Sequence, residues 1–305
     1  MWQRVVVLAT VLTATVLSTG CANYRAVSDF SHETTRMTGA VKGEFVALET
    51  LCTQQAELVL VVNNIPGDGP LAQCERYQRA QGRFAAVTVD VLDAYADALD
   101  DLADRRAFDV SPEMRSLGSK VRALNDGAGN DLMPEGSANA LTRVSDLIVQ
   151  VMASRKRDDA VRHLVAATPD LTVMGNALKS FFVSTGASRP PYGNFVAVIT
   201  SSTASTQQIL QSQPMRKAEP IRTAELLRAL RVRQKLLDRR SGTGADSVPS
   251  RIGAAIDAWL QAVDQFSRDA LDPDSREFAD RLRTLRSATR VAQDAVVDRG
   301  TTEAR

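Results

Sequence analysis

Histidine is nearly absent: His32 and His163 are the only two in 305 residues. Neither stands in a metal or catalytic pattern. His32-Glu33-Thr34-Thr35-Arg36 lacks the second histidine of a zinc-protease helix, and His163 has only Asp158 and Asp159 close by in sequence. A Gly-x-Ser-x-Gly elbow, a Ser-x-x-Lys pair, a phosphate-binding glycine loop and a dinucleotide fingerprint are missing as well. These absences remove the recognisable hydrolase, nucleotide and zinc chemistries. The chain therefore reads as non-enzymatic, without cofactor or metal, since two carboxylates meeting in a cleft are not visible in one helical sequence. Net charge is also lacking, at +1 overall, so no general attraction to nucleic acid is expected. Aromatic residues make up 5%, against 44% hydrophobic residues in total, so a large core is available but few rings fill it.

Segments of alternating apolar and polar residues are missing too, and no fixed-period repeat occurs. Apolar residues instead recur every three, four or seven positions, the helical period. Phe30, Met37, Val41, Phe45, Leu48, Cys52, Val59 and Val62 make one stripe, ended by Asn63-Asn64-Ile65-Pro66-Gly67-Asp68-Gly69-Pro70. A second long helix is expected from about Leu71 to Arg106, with Tyr77, Phe84, Val87, Val91, Tyr95, Ala98 and Leu102 as its core stripe. So short a turn makes the two antiparallel. Ser111-Pro112-Glu113, Ser137 and Thr168-Pro169-Asp170 begin further helices. Residues 127–136 hold Asn130, Asp131 and Glu135 but lack the ligand spacing of a calcium loop, so a plain loop is expected. Gly186 to Gly193, with Pro190-Pro191, is the firmest internal break. Thr200 to Gln208 is nearly all small and polar, suited either to close helix packing or to a loose linker. Two final helices carry Ile252, Ile256, Trp259, Val263 and Phe266, then Phe278, Leu282, Leu285, Ala292 and Val296. An all-α, elongated multi-helix bundle built from long antiparallel hairpins is the expected fold. It divides into an N-terminal bundle over 30–188 and a helical part over 189–305 that is either separate or continuous with it.

Two charged faces stand out. Asp90, Asp93, Asp97, Asp100 and Asp104 lie nearly opposite the core stripe of the second helix, a solvated ladder that could collect cations or a basic partner. Arg228, Arg231, Lys235 and Arg239 form a stripe beside Leu226, Leu230 and Leu237. That stripe suits anionic head groups, polyanionic polymers, an acidic protein or the Asp ladder itself. A pocket for an apolar ligand, if present, is expected among Phe181, Phe182, Trp259 and Phe266.

The leading segment supplies an address. Met1-Trp2-Gln3-Arg4 carries one positive charge, Val5 to Leu17 is uncharged and too short to span a bilayer, and Ser18, Thr19 and Gly20 precede Cys21. Leu17-Ser18-Thr19-Gly20-Cys21 resembles the lipobox of bacterial lipoproteins, with Ser18 where that family usually has leucine. The resemblance implies removal of residues 1–20, diacylglycerol on the Cys21 thiol and acylation of the new amino terminus. Loss of Arg4 then brings the net charge to zero. Ala22 after the cysteine resembles the state sorted to the periplasmic face of an outer membrane. Residues 21–29 are left as a short lipidated tether, and the Arg228–Arg239 stripe becomes a candidate second membrane contact. With Cys21 acylated, Cys52 and Cys74 remain as a pair in an oxidising compartment, where a disulfide is expected and two buried thiols are the alternative. Their register is awkward, because Cys52 lies much farther from the turn than Cys74. The functional expectation is a lipid-anchored envelope component that works through other envelope proteins, with a ligand-binding lipoprotein as the alternative.

Overall fold

The computed structural model describes residues 2–63, 68–77, 82–104, 112–125, 136–152, 157–184, 189–212, 220–242, 244–269 and 275–297, with the side chains of 2–23, 112–115, 122, 125, 152, 157 and 158 left undescribed. Among them are eleven helices and no strand, so the protein is an all-α multi-helix bundle. In chain order they are α1 (Trp2–Asn63), α2 (Gly69–Tyr77), α3 (Arg83–Asp104), α4 (Pro112–Asn125), α5 (Ser137–Met152) and α6 (Arg157–Ala166). Then come α7 (Thr168–Phe182), α8 (Pro191–Gln211), α9 (Pro220–Ser241), α10 (Val248–Asp269) and α11 (Arg276–Val296). Residues 127–135 of the calcium-loop-like stretch, residues 270–274 between the two final helices and the tail from residue 298 lie outside the described residues.

Helix α1 is the axis of the bundle. Although a stripe through Arg25, His32, Arg36, Val46, Glu57 and Val61 stays exposed, the helix packs against α2, α3, α8, α10 and α11. This is why polar residues such as Ser31, Glu33, Thr34, Thr38, Glu44 and Gln55 are buried on it beside Phe30, Met37, Val41 and Leu48. Within Tyr24–Asn63 one stretch is long and apolar enough to cross a membrane by length and composition, and here it is this packed helix. Residues 24–29, expected as tether, are helical, and Val27 and Phe30 are buried in the main core. The body thus begins closer to Cys21 than the apolar stripe alone indicates.

The second expected helix is described as α2, ending at Tyr77, and α3, starting at Arg83, with residues 78–81 outside the described residues.

Antiparallel pairs α7–α10 and α10–α11 close the other side of the core. Pro169 sits in the first turn of α7 and Ser275 Oγ caps α11 by accepting from the Phe278 N–H at 3.1 Å. α7 and α10 approach closely enough to need glycine. A Cβ on Gly175 would stand 2.6 Å from Leu260 Cδ2 and 2.8 Å from Trp259 Cζ3, and one on Gly253 would stand 2.5 Å from Val183 Cγ2. The main hydrophobic cluster runs from Val27 to Val296 without a break at residue 189. A small second cluster, Val62, Leu210, Leu227 and Leu230, closes the far end of α1 against α8 and α9.

Candidate functional site

Each residue group singled out in the sequence has a definite place. Cys21 lies on the backbone of α1, three positions before Tyr24. Cys52 and Cys74 are disulfide-bonded, with Cα atoms 5.9 Å apart, and both are buried. The bond staples α2 onto α1. In the chain-entropy account, closing a loop of 22 residues stabilises by about 3 kcal/mol. Cys52→Ser is accordingly expected to lower the urea-unfolding free energy by about that amount, and reductant is expected to do the same to the parent and nothing further to the variant.

The Asp ladder is solvated only in part: Asp97 and Asp104 are exposed, whereas Asp90, Asp93 and Asp100 are half-buried in the seam between α3 and the first half of α1 and take partners there. Ser28 Oγ donates to Asp100 Oδ1 at 3.0 Å, and His32 Nε2 lies 3.2 Å from the same oxygen. Thr38 Oγ1 and Lys42 Nζ both donate to Asp93. Asp90 takes Lys42 at 3.2 Å and, from α4, Lys120 at 2.7 Å. Residue numbers rise along α1 as they fall along α3, the mark of antiparallel packing. Thirteen of the 22 residues of α3 are buried, so little outer face remains, and the carboxylates occupy the flank where α1 offers hydroxyls and a lysine. Burial pulls the Lys42 ammonium down, but Asp93 and Asp90 outweigh it and leave the net shift upward. Asp97 is held above the usual carboxylate range by burial, then by Asp93, Asp101 and Asp100, with Lys42 opposing. Among the described residues no cluster of three or more His, Cys, Asp or Glu is placed to hold a metal ion.

Arg228, Arg231, Lys235 and Arg239 are exposed on α9. The Asp ladder takes its partners elsewhere. The arginines of α9 that reach inward are two that the stripe omitted. Arg240 is 4% exposed and grips Glu44, itself 0% exposed, through Nε to Oε1 at 2.8 Å and Nη2 to Oε2 at 3.2 Å. Tyr192 Oη donates to the same Glu44 Oε1 at 2.8 Å. Burial, followed by the Glu44 charge, pushes the Tyr192 phenol well up, with Arg240 opposing. About three turns farther along α1, Gln55 donates to Thr206 Oγ1 at 3.0 Å and accepts from Thr203 Oγ1 at 3.2 Å and Arg233 Nη1 at 2.7 Å. Burial draws the Arg233 guanidinium down, with Glu57 opposing. The small polar stretch 200–208 is therefore helix α8, and its hydroxyls pack against α1.

The four aromatic residues considered for a ligand pocket do not line one together. Phe266 stacks on Phe30 at 4.6 Å between ring centres, and Trp259 is fully buried with Nε1 donating to Thr34 Oγ1 at 3.0 Å. Phe181 and Phe182 pack edge to face with each other and against Phe45. Phe182 borders a cleft of about 570 Å³ where the ends of α7 and α9 meet the starts of α8 and α10. A smaller cavity of about 110 Å³ adjoins the disulfide and Gln55.

Among the described residues, buried Glu44 pairs with Arg240 and buried Glu33 with Arg36 and Arg286. The basic face of α9 and the four-helix cleft are surface features of the described residues. No protein-family model, no curated protein and no solved structure matches the chain.

Proposed function

We propose that the chain is a lipid-anchored cell-envelope protein that acts by interaction or as a structural spacer, held through acylated Cys21 on the periplasmic face of an outer membrane. The observation that carries this reading is the junction at Cys21. The lipobox-like Leu17-Ser18-Thr19-Gly20-Cys21 runs straight into the helix that forms the axis of the body. Two or three acyl chains at that point anchor stably, where one alone binds marginally.

The continuity of α1 also changes the place of the basic stripe. Arg240 meets α1 at Glu44 and Leu230 packs near Val62, so α9 runs beside the far half of α1. Counted from Cys21 at 1.5 Å per residue, that half lies about 35–60 Å along the helix axis. Anionic head groups act over a screening length of about 8 Å at physiological salt. With α1 standing off the membrane, Arg228, Arg231, Lys235 and Arg239 face an acidic envelope partner and not the anchoring leaflet.

The anchor is tested by metabolic labelling with an alkynyl fatty acid and mass analysis of the mature N-terminus. Label is expected on the parent chain and its loss in Cys21→Ser, together with a shift from the membrane to the soluble fraction. An unmodified Cys21 or a retained Met1 overturns the reading. Crosslinking in intact cells tests the interaction: an envelope partner captured by the parent is expected to be lost on joint Arg228→Glu, Arg231→Glu and Lys235→Glu replacement.

A further inference from the structure

The four-helix cleft has a composition that none of the preceding roles uses. Its walls are apolar, made by Phe182, Val183, Pro190, Ala197 and Pro249, and its edge carries the hydroxyls of Thr200, Ser201, Ser241 and Ser250. Its volume of about 570 Å³ falls within the ~300–1,000 Å³ of small-molecule sites. Two guanidiniums border it, Arg189 and Arg240, and no carboxylate does so among the described residues. The residues 185–188 and 243, adjacent in sequence, are Thr, Gly, Ala, Ser and Thr and bring no charge either.

The two arginines differ in what they have left to offer. Arg240 is committed to Glu44 beneath the cleft. Arg189 has no ion pair among the described residues and is exposed at the rim. Its position is set by Gly193, where a Cβ would come within 3.0 Å of Arg189 Cγ and 3.4 Å of Cδ. The arginine stem therefore lies across the first turn of α8, with its charge held beside the apolar walls. One cation beside an apolar cavity is complementary to one anion carried on an apolar body. A fork of guanidinium donors suits phosphate and carboxylate alike.

We infer that this cleft binds an amphiphile with a single anionic head, the head on Arg189 and the apolar portion against Phe182, Ala197 and Pro249. The inference does not depend on the lipid anchor. It is tested on the full chain in phosphatidylcholine nanodiscs, titrated with octyl phosphate and octanoate, with octanol and inorganic phosphate as controls. Saturable binding of one octyl phosphate or octanoate per chain is expected, and the stronger of the two assigns the head group. Arg189→Ala is expected to weaken the anionic probes tenfold or more and to leave octanol unchanged, while Arg189→Lys retains part of the affinity. Ala197→Trp, which fills the cavity from an already half-buried position, is expected to abolish binding of the anionic probes. Thermal melts matching the parent confirm that each variant is folded. Absence of saturable binding, equal affinity in the parent, Arg189→Ala and Ala197→Trp, or inorganic phosphate binding as tightly as octyl phosphate would overturn the inference.

Discussion

Replacing Arg240 by alanine is expected to lower the unfolding free energy by about 3–5 kcal/mol, read from urea denaturation with the disulfide intact. The size follows from what is left behind. Glu44 is fully buried on the central helix, and Arg240 donates to both of its carboxylate oxygens while Tyr192 donates to one. Without the guanidinium, a buried carboxylate loses the cation that balances its charge. Deleting one member of such a pair costs far more than the net worth of the pair, because desolvation of both groups already opposes their attraction. The joint replacement Glu44→Leu, Arg240→Met is therefore expected to lie within about 1–2 kcal/mol of the parent. Tyr192→Phe, which removes one neutral donor, is expected to cost about 1–2 kcal/mol. If Arg240→Ala costs less than about 1 kcal/mol, the range of solvated surface pairs, then water reaches Glu44 and the buried pair does not exist as described.

This pair shows where the sequence could be read and where it could not. The helical period of α9 places residues 223, 227, 230, 237 and 240 on one line, and the structure buries all five. Arg228, Arg231, Lys235 and Arg239 fall off that line and are exposed. The charge stripe drew attention because it was unbroken, whereas the structurally decisive arginine was the one interrupting an apolar line. The same holds on α1, where Glu44 and Gln55 sit among Val41, Leu48, Cys52 and Val62 at helical spacing. A polar residue inside an apolar stripe was the available signal. Its partner was not available, since Glu44 and Arg240 are 196 residues apart in sequence and meet only in the fold.

The all-α class and most helix bounds were legible because prolines, glycines and caps punctuate a strong helical period. One feature was not. That Asp90, Asp93 and Asp100 are half-buried was not visible, because angular position on one helix says nothing of what a neighbour presents. Ser28, His32, Thr38 and Lys42 recur on α1 at helical spacing beside its apolar stripe, and that matching polar line was the missed counterpart.

Phe30→Ala is the second large effect, expected at about 3–5 kcal/mol by the same denaturation measurement. Phe30 is fully buried, stacked on Phe266 at 4.6 Å and tilted against Phe278 at 6.2 Å, and those two rings lie 5.7 Å from each other. The trio joins α1 to α10 and α11 at the end of the body nearest Cys21. Alanine removes the ring that both others contact, leaving a void that side chains anchored on three separate helices can fill only in part. Phe30→Leu keeps most of the volume and is expected to cost about 1–1.5 kcal/mol. The comparison also discriminates between two descriptions of residues 21–29. If residues 21–29 were a loose tether, Phe30 would lie in the fraying first turn of its helix, and its truncation would cost well under 1 kcal/mol. A full core penalty instead means that the helix is already packed at Val27, so the body is joined to residue 21 by rigid backbone. Under the proposed lipid anchor, the basic face of α9 is then carried at a fixed distance from Cys21, set by the length of α1.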